Sequence, residues 1–235
     1  MDIKFKFHFT RYILLFMLVF FMINGVVENI IIKTKINDFK SSTKLVYTDV
    51  ENGIKYYCVS RETYESSLRQ IDGKMYIGSK GDIIVRQSSP YPEIPVFHQL
   101  MTFFIGGHAA YVVDSKKTIE VNGKDSNNKV DYYNNDWFNQ KECIGLRLKN
   151  KKIIDDVTKQ VESKIGAKYN YSFVFDNGYY CTDLMSKSVA EVDKFHNIND
   201  FLFTTTNDII TSSNTEICYY HYTDTSNIKH VYYIN

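Results

Sequence analysis

Residues 106–121 read GGHAAYVVDSKKTIEV and contain the clearest strand pattern of the chain. Two runs rich in Val, Ile and Ala, AAYVVD and KTIEV, are separated by only two residues. This spacing is typical of a β-hairpin. The predicted hairpin carries His108 at its entrance and Glu120 on its second strand.

The register of this hairpin decides whether His108 and Glu120 can meet. A two-residue turn pairs Tyr111 with Glu120, which leaves His108 and Glu120 on opposite faces. A three-residue turn that begins at Asp114 pairs Ala110 with Glu120 and puts His108 diagonally beside Glu120 on one face. A joint catalytic role for the two residues therefore predicts the longer turn.

The rest of the chain alternates short strands with a few amphipathic helices. Strands are expected at 45–49, 54–59, 81–86, 143–148, 216–222 and 229–234, and an Asn-Gly turn joins the first two. Helical spacing of apolar residues predicts helices at 152–165 and 182–192, and 96–105 is either a short apolar helix or an extended stretch. This mixture favours an α+β fold over a wound parallel sheet.

Residues 1–28 have the order of a secretory signal peptide or a signal anchor. A basic start is followed by the 16 uncharged residues 12–27 and then by Glu28, a pattern typical of export segments. Gly25 is a candidate small residue before a cleavage site, but Ile23 breaks the usual small-x-small pattern. A cleaved peptide and an uncleaved anchor both stay open at this point.

Residues 29–42 are polar and lack strong periodicity, so we expect them to form a linker. The folded domain is then expected to cover residues 43–235. If the export segment functions as such, this domain lies outside a membrane, either anchored to it or secreted.

Composition excludes several classes of protein. The 235 residues include 28 Lys and Arg against 27 Asp and Glu, so we do not expect a basic surface that binds nucleic acid. The high aromatic content argues against a disordered chain. The four cysteines form no CxxC pair, and we expect no metal and no cofactor. The sequence leaves undecided whether two of Cys58, Cys143 and Cys218 form a disulfide.

Cys181 stands directly before a helical pattern, so its thiol is expected at a helix N-terminus. The exposed N–H groups there stabilise a thiolate, and a nearby imidazole can hold the proton. A carboxylate can in turn orient the imidazole. Taken singly, Cys181, His108 and Glu120 each have an ordinary structural explanation, and only their conjunction points to catalysis.

Six segments of the chain resemble the permuted papain-like cysteine hydrolases of NlpC type, especially the YiiX-like branch. They are GDIIVRQSS (81–89), GGHAAYVVD (106–114), TIEVNG (118–123), GLRL (145–148), GAKYNYSFVFDNGYYCTDL (166–184) and TTNDIITS (205–212). Two positions depart from the family pattern, because Thr182-Asp183 replaces the commoner Ser-Glu and Asn170 replaces the usual Asp. Neither departure removes a catalytic atom.

This resemblance implies a papain-like α+β fold, in which an antiparallel sheet or partial barrel packs against a few helices. It implies that Cys181 is the nucleophile, His108 the general base and Glu120 the orienting residue. It also implies that Tyr180 helps to form the oxyanion site, together with the backbone N–H of Cys181.

The resemblance further implies a thiol-dependent amidase or endopeptidase, with cell-wall peptides as expected substrates. Lipid esters or amides are the alternative, because relatives with the permuted order include lipid acyltransferases and the domain follows an apolar segment. A binding module that uses the same cleft without catalysis is the second class. The expected partners are thus a peptide, amide or lipid acyl substrate and, through the N-terminal segment, a membrane, but no nucleic acid.

Overall fold

The computed structural model describes residues 3–62, 64–89, 92–123, 128–172, 177–196, 198 and 203–235. Within these residues the chain has one large β-sheet, a small two-stranded sheet and several helices. The fold is therefore α+β, as the sequence predicts.

The elements follow one another along the chain in a mixed order. The helices are α1 (Ile3–Ser42), α2 (Pro95–Phe104), α3 (Ile154–Ser163), α4 (Cys181–Val192) and α5 (Thr206–Thr211). The strands are β1 (Lys44–Asp49), β2 (Ile54–Val59), β3 (Leu68–Ile71), β4 (Lys74–Ile77), β5 (Ile83–Arg86), β6 (His108–Asp114), β7 (Lys117–Val121), β8 (Val130–Asn134), β9 (Glu142–Leu148), β10 (Thr215–Thr223) and β11 (Lys229–Ile234).

The large sheet has nine strands in the order β1-β2-β11-β10-β9-β5-β6-β7-β8. Its neighbouring strands are antiparallel except β11 and β2, which run parallel. A long connection separates these two strands in sequence, so no hairpin forces them to be antiparallel. The sheet is thus mixed rather than purely antiparallel, and no barrel closes among the described strands.

Helix α1 continues through the segment that was expected to be a linker. Ile32, Ile36 and Phe39 are at most 9% exposed and lie on one face of the helix, packed on the domain. The Nζ of Lys35 donates hydrogen bonds of 2.7 to 3.0 Å to the last carbonyls of α5, which would otherwise lack partners. Residues 29–42 therefore belong to the folded domain, and the linker prediction is wrong.

Most of the apolar side chains described between residues 12 and 31 of α1 are exposed. The helix contains one stretch within residues 11–42 that is long and apolar enough to cross a membrane, with a mean hydropathy of 2.2, although a signal sequence has the same properties. Gly25 lies in this part against Phe103 and Phe104 of α2, and a Cβ at this position would come within 2.8 Å of their rings. Glycine therefore permits the close approach of α1 and α2.

The elements predicted from local patterns are present. β1 and β2 pair across a turn in which Gly53 has a φ of +65°, a conformation that glycine adopts at low cost. The stretch before Gly106 is helical, and the C-terminal hairpin forms as β10 and β11. Helix α3 ends shortly before Gly166, and α4 begins at Cys181.

The β6–β7 hairpin reaches the required register by a different route from the predicted one. Asp114 pairs with Lys117, so the turn has two residues. The register then shifts at Val113, and Tyr111 pairs with Ile119. This bulge moves the residues beyond it to the face that a three-residue turn would have given. The longer turn was a wrong prediction, but the register that motivated it is present.

A matched pair of substitutions tests whether α1 is part of the domain. Ile32 is 2% exposed and Ile31 is 37% exposed on the same helix. We expect Ile32→Ala to lower the free energy of unfolding by about 2–4 kcal/mol, because it leaves a cavity. Ile31→Ala carries the same change in helix propensity and should cost well under half as much. Urea unfolding of the full chain in detergent micelles, followed by tryptophan fluorescence, measures both; equal small effects would support a linker.

Candidate active site

Cys181 is the first residue of α4. It follows Tyr180, the N-cap residue, whose backbone is extended with φ −101° and ψ 170°. The buried side chains of Leu184, Met185 and Val189 fix the helix on the core. Because the first turn of a helix exposes N–H groups that lack intrahelical acceptors, this position favours a thiolate. The predicted location of Cys181 at a helix start is confirmed.

Two glycines allow the chain to enter β6 at His108. Gly106 has a φ of +81°, and a Cβ there would lie 1.6 Å from the hydroxyl oxygen of Thr206. A Cβ on Gly107 would lie 2.0 Å from the carbonyl oxygen of Ser88. Side chains at either position would push these neighbouring segments away from the start of β6, so the Gly-Gly pair sets the position of the histidine.

Glu120 holds the ring of His108. The Nε2 of His108 lies 2.8 Å from a carboxylate oxygen of Glu120. The other oxygen of this carboxylate accepts hydrogen bonds from the hydroxyl of Thr118 at 2.7 Å and from the indole N–H of Trp137 at 2.8 Å. Nε2 is thereby occupied, which leaves Nδ1 as the ring nitrogen available to Cys181. The bulge at Val113 thus brings the predicted His108 and Glu120 together.

Trp137 is a site residue that sequence reasoning missed. Its ring stacks on that of His108, with centroids 5.8 Å apart and planes 9° apart, and its N–H satisfies the buried Glu120 carboxylate. It lies in a 3₁₀ turn between β8 and β9, at 137–139. A lone tryptophan in a loop carries no spacing signal, and the single available hint was that it is the only Trp of the chain.

The ionisable groups shift one another's pKa values in the direction of an ion pair. Burial raises the pKa of the Cys181 thiol, but the hydrogen bond and charge of His108 outweigh it, so that pKa lies below its usual value. Burial lowers the pKa of His108, but Cys181 and Glu120 outweigh it, so that pKa is raised. The pKa of Glu120 is lowered, because donors led by His108 outweigh burial. Each of the three shifts favours the charged form of its group, that is, thiolate, imidazolium and carboxylate.

Tyr180 has a different position from the one expected of an oxyanion donor. Its side chain is 5% exposed, and its hydroxyl accepts a hydrogen bond of 2.9 Å from the backbone N–H of Thr204. Tyr180 is not among the described residues that line the cavity beside Cys181. The tyrosine side chain thus connects the start of α4 to the segment before α5, whereas Cys181, whose backbone N–H is the other predicted donor, lines the cavity.

A cavity of about 510 Å³ opens over Cys181 and His108. Its other described lining residues come from the β5–α2 segment, from β7 and the residues after it, and from the segment before α4; they include Arg86, Ser88, His98, Asn122 and Tyr169. A larger cavity of about 740 Å³ lies at the β1–β2 end of the sheet, but its described lining contains no cysteine and no histidine. The smaller cavity is therefore the candidate active site.

The other three cysteines have ordinary thiols. Burial raises the pKa of Cys58, and it raises those of Cys143 and Cys218 well above their usual value. All four cysteines are free, so the disulfide that the sequence left open is not formed. Cys181 differs from the others in having its pKa lowered.

No protein-family model, curated protein or solved structure matches this chain. The resemblance to YiiX-like hydrolases therefore stays a prediction. Residues 173–176, within the resembling segment 166–184, lie outside the described residues.

Alkylation by iodoacetamide tests the ion pair directly. We expect the labelling rate of Cys181 to follow an apparent pKa well below the usual value of about 8.5. In His108→Ala the pH midpoint of the labelling rate should move upward, because burial then raises the pKa of the Cys181 thiol without the opposing effect of the imidazolium. Intact mass across pH 5 to 9 measures the rates.

His230→Ala is the matched control for this experiment, since His230 pairs with Asp224 in the C-terminal hairpin and lies outside the cavity lining. It should leave the midpoint where it is in the native chain. A midpoint that does not respond to His108→Ala would mean that Cys181 is an ordinary half-buried thiol.

Proposed function

We propose that this chain is a thiol-dependent acyl hydrolase of the amidase or endopeptidase type, with a permuted papain-like fold. The observation that carries the proposal is the contact chain from Cys181 through His108 to Glu120 at one cavity. Nucleophile, base and orienting group within reach of one another are the recognised requirement for nucleophilic acyl transfer. The resemblance to YiiX-like hydrolases assigns the same three roles to these residues.

In the acylation step, the Cys181 thiolate attacks the carbonyl carbon of an amide or ester. The backbone N–H of Cys181, which has no intrahelical acceptor, stabilises the oxyanion that forms. His108 then donates its proton to the leaving amine or alcohol, and the bond to that group breaks. The products of this step are a thioester on Cys181 and a free leaving group.

In the deacylation step, neutral His108 removes a proton from water as the water oxygen attacks the thioester carbonyl. The C–S bond breaks, the acid leaves, and Cys181 returns as a thiolate beside protonated His108. Glu120 acts throughout as a positioning residue, because it holds the ring orientation and stabilises the imidazolium without touching the substrate.

We propose that the chain is membrane-anchored, with the catalytic domain on the extracytoplasmic side, and that secretion after cleavage is the alternative. Three features support the anchor. Helix α1 continues from the apolar segment into the domain core, Gly25 packs against α2, and the buried Glu28 accepts a hydrogen bond from Asn24 within the helix. Cleavage near Gly25 would sever this packed helix. Cell-wall peptides are then the first substrates to examine.

Product formation from peptide amides tests the proposed activity. We expect the full chain in detergent to release products, and we expect Cys181→Ser and His108→Ala to reduce the rate by roughly 10³-fold or more, since each removes a reacting group. Cys58→Ala is the matched control, because it removes a half-exposed thiol remote from the cavity, and it should keep the native rate. Mass spectrometry of the products measures all four. A chain that binds peptides but forms no Cys181-dependent products from either peptides or lipids would instead be a binding module.

A lipid acyl substrate is the second candidate, because the structure has an exposed apolar surface beside the cavity. Val96, Phe97 and Leu100 of α2 are 43–70% exposed. The same helix lines the cavity with His98, and it packs on the apolar part of α1 at Gly25. Exposed apolar side chains on a helix next to a membrane anchor are typical of contact with the lipid interface. Such contact would present the cavity to membrane lipids.

One substitution on α2 separates the two substrates. If lipids are hydrolysed, Leu100→Gln should slow turnover of a phospholipid in vesicles by about tenfold, because the interface contact is lost, and should leave soluble peptide hydrolysis unchanged. Ile165→Gln changes an exposed isoleucine after α3 and should affect neither substrate. Liquid chromatography of released fatty acid and peptide measures both reactions. Equal lipid turnover in the native chain and Leu100→Gln would exclude this role of α2.

A further inference from the structure

Arg86 lies beside the proposed catalytic pair. It is the last residue of β5 and pairs directly with His108 of β6 in the antiparallel register. Residues directly opposite each other in such a pair project their side chains to the same face of the sheet. Arg86 accordingly lines the same cavity as His108 and Cys181.

Arg86 is half-buried and has no carboxylate partner among the described residues. Among the described residues its side chain makes only one hydrogen bond, a long one of 3.4 Å from a terminal nitrogen to the side-chain oxygen of Gln140, and its Nε is buried without a partner there. Three other arginines of the domain each have a carboxylate within 3.0 Å, namely Arg61 with Glu216, Arg69 with Glu65 and Arg147 with Asp82. Arg86 therefore differs from these three arginines in having no carboxylate partner among the described residues.

The cavity offers no carboxylate to Arg86 among its described lining residues. Its described lining contains no Asp and no Glu, and Arg86 is its one permanently charged side chain. Glu120 lies behind His108 and is not among the described lining residues, so the carboxylate of the site pairs with His108 and not with Arg86. His98 adds a second unsatisfied group, since its Nδ1 is also buried without a partner among the described residues. A half-buried guanidinium without a carboxylate partner is incompletely satisfied, and an anion in the cavity would give it a charged acceptor.

We propose that Arg86 binds an acidic group of the substrate, a carboxylate or a phosphate, next to the acyl group that Cys181 attacks. The inference rests on the proposed function and deepens it, because it names the substrate class as an anionic acyl compound. A guanidinium offers paired N–H donors that match the oxygens of either acid. No carboxylate among the described residues contacts Arg86, so its guanidinium is available to such a substrate.

The ratio of two alkylation rates at Cys181 tests the proposal without knowledge of the natural substrate. Iodoacetate and iodoacetamide both transfer their carbon to the thiolate with loss of iodide, and they differ in that only iodoacetate carries a carboxylate. We expect the iodoacetate to iodoacetamide ratio at Cys181 to exceed that of free glutathione by about tenfold, the effect of one charge-assisted hydrogen bond. Arg86→Gln should bring the ratio close to the glutathione value, and Arg86→Lys should retain part of the preference.

Arg69→Gln is the matched control, because it removes an arginine that is paired with Glu65 away from the cavity. It should keep the native ratio. A native ratio equal to that of glutathione, or one that Arg86→Gln does not change, would overturn the proposal. Slow labelling by both reagents that is indifferent to His108→Ala would instead refute the proposed function, and the inference would fail with it.

Protection of the native chain distinguishes the two acids and needs no variant. Acetate and methyl phosphate are added at constant ionic strength while iodoacetamide labels Cys181. Saturable protection by either anion supports the proposal, and the stronger of the two identifies a carboxylate or a phosphate as the bound group. Absence of protection by both anions, together with a glutathione-like ratio, contradicts it.

Discussion

Glu120 is a buried carboxylate, and its three hydrogen-bond donors tie separate parts of the fold to one point. His108 comes from β6, Thr118 from the same strand as Glu120, and Trp137 from the turn before β9. A carboxylate inside a protein requires such donors, because burial without them would cost several kcal/mol. Once satisfied, it fixes the imidazole ring of His108 and directs the other ring nitrogen towards Cys181. The ionisation of Cys181 therefore depends on the position of one carboxylate.

The position of this carboxylate in turn depends on a single extra residue in β6, Val113. Local chemistry explains the two-residue turn, since the carboxylate of Asp114 accepts a hydrogen bond of 2.7 Å from the N–H of Lys116. The bulge has no such local signal. It is set where β6 must match β7 within the hairpin and also β5 on its other side, and the pairing with β5 joins residues far apart in sequence. The pairing of His108 with Glu120 and the register that it requires could therefore be predicted from the sequence. The β-bulge at Val113 that produces this register could not.

The other predictions also succeeded where the cause is local in sequence and failed where it is a long-range contact. Hairpins, the helix at Cys181 and the α+β class were predictable, because turn residues and apolar periodicity act over a few residues. The packing of 29–42 was missed although Ile32, Ile36 and Phe39 have helical spacing, because polar residues between them conceal it. The contact of Trp137 with the site depends wholly on tertiary structure. The sheet order, with its parallel β2–β11 pair, joins the two ends of the domain and had no signal in any segment.

The protonation state of His108 shows whether Cys181 and His108 form an ion pair. ¹⁵N NMR of the full chain labelled at histidine, with His108→Ala for assignment, reports the charge of each imidazole across pH 5 to 9. We expect His108 to stay an imidazolium well above the usual histidine pKa of about 6.5. We also expect Cys181→Ala to lower the pKa of His108, because the thiolate that stabilises the charge is gone. A His108 that titrates in the ordinary range in the native chain, and does so equally in Cys181→Ala, would contradict the ion pair on which the proposed function depends.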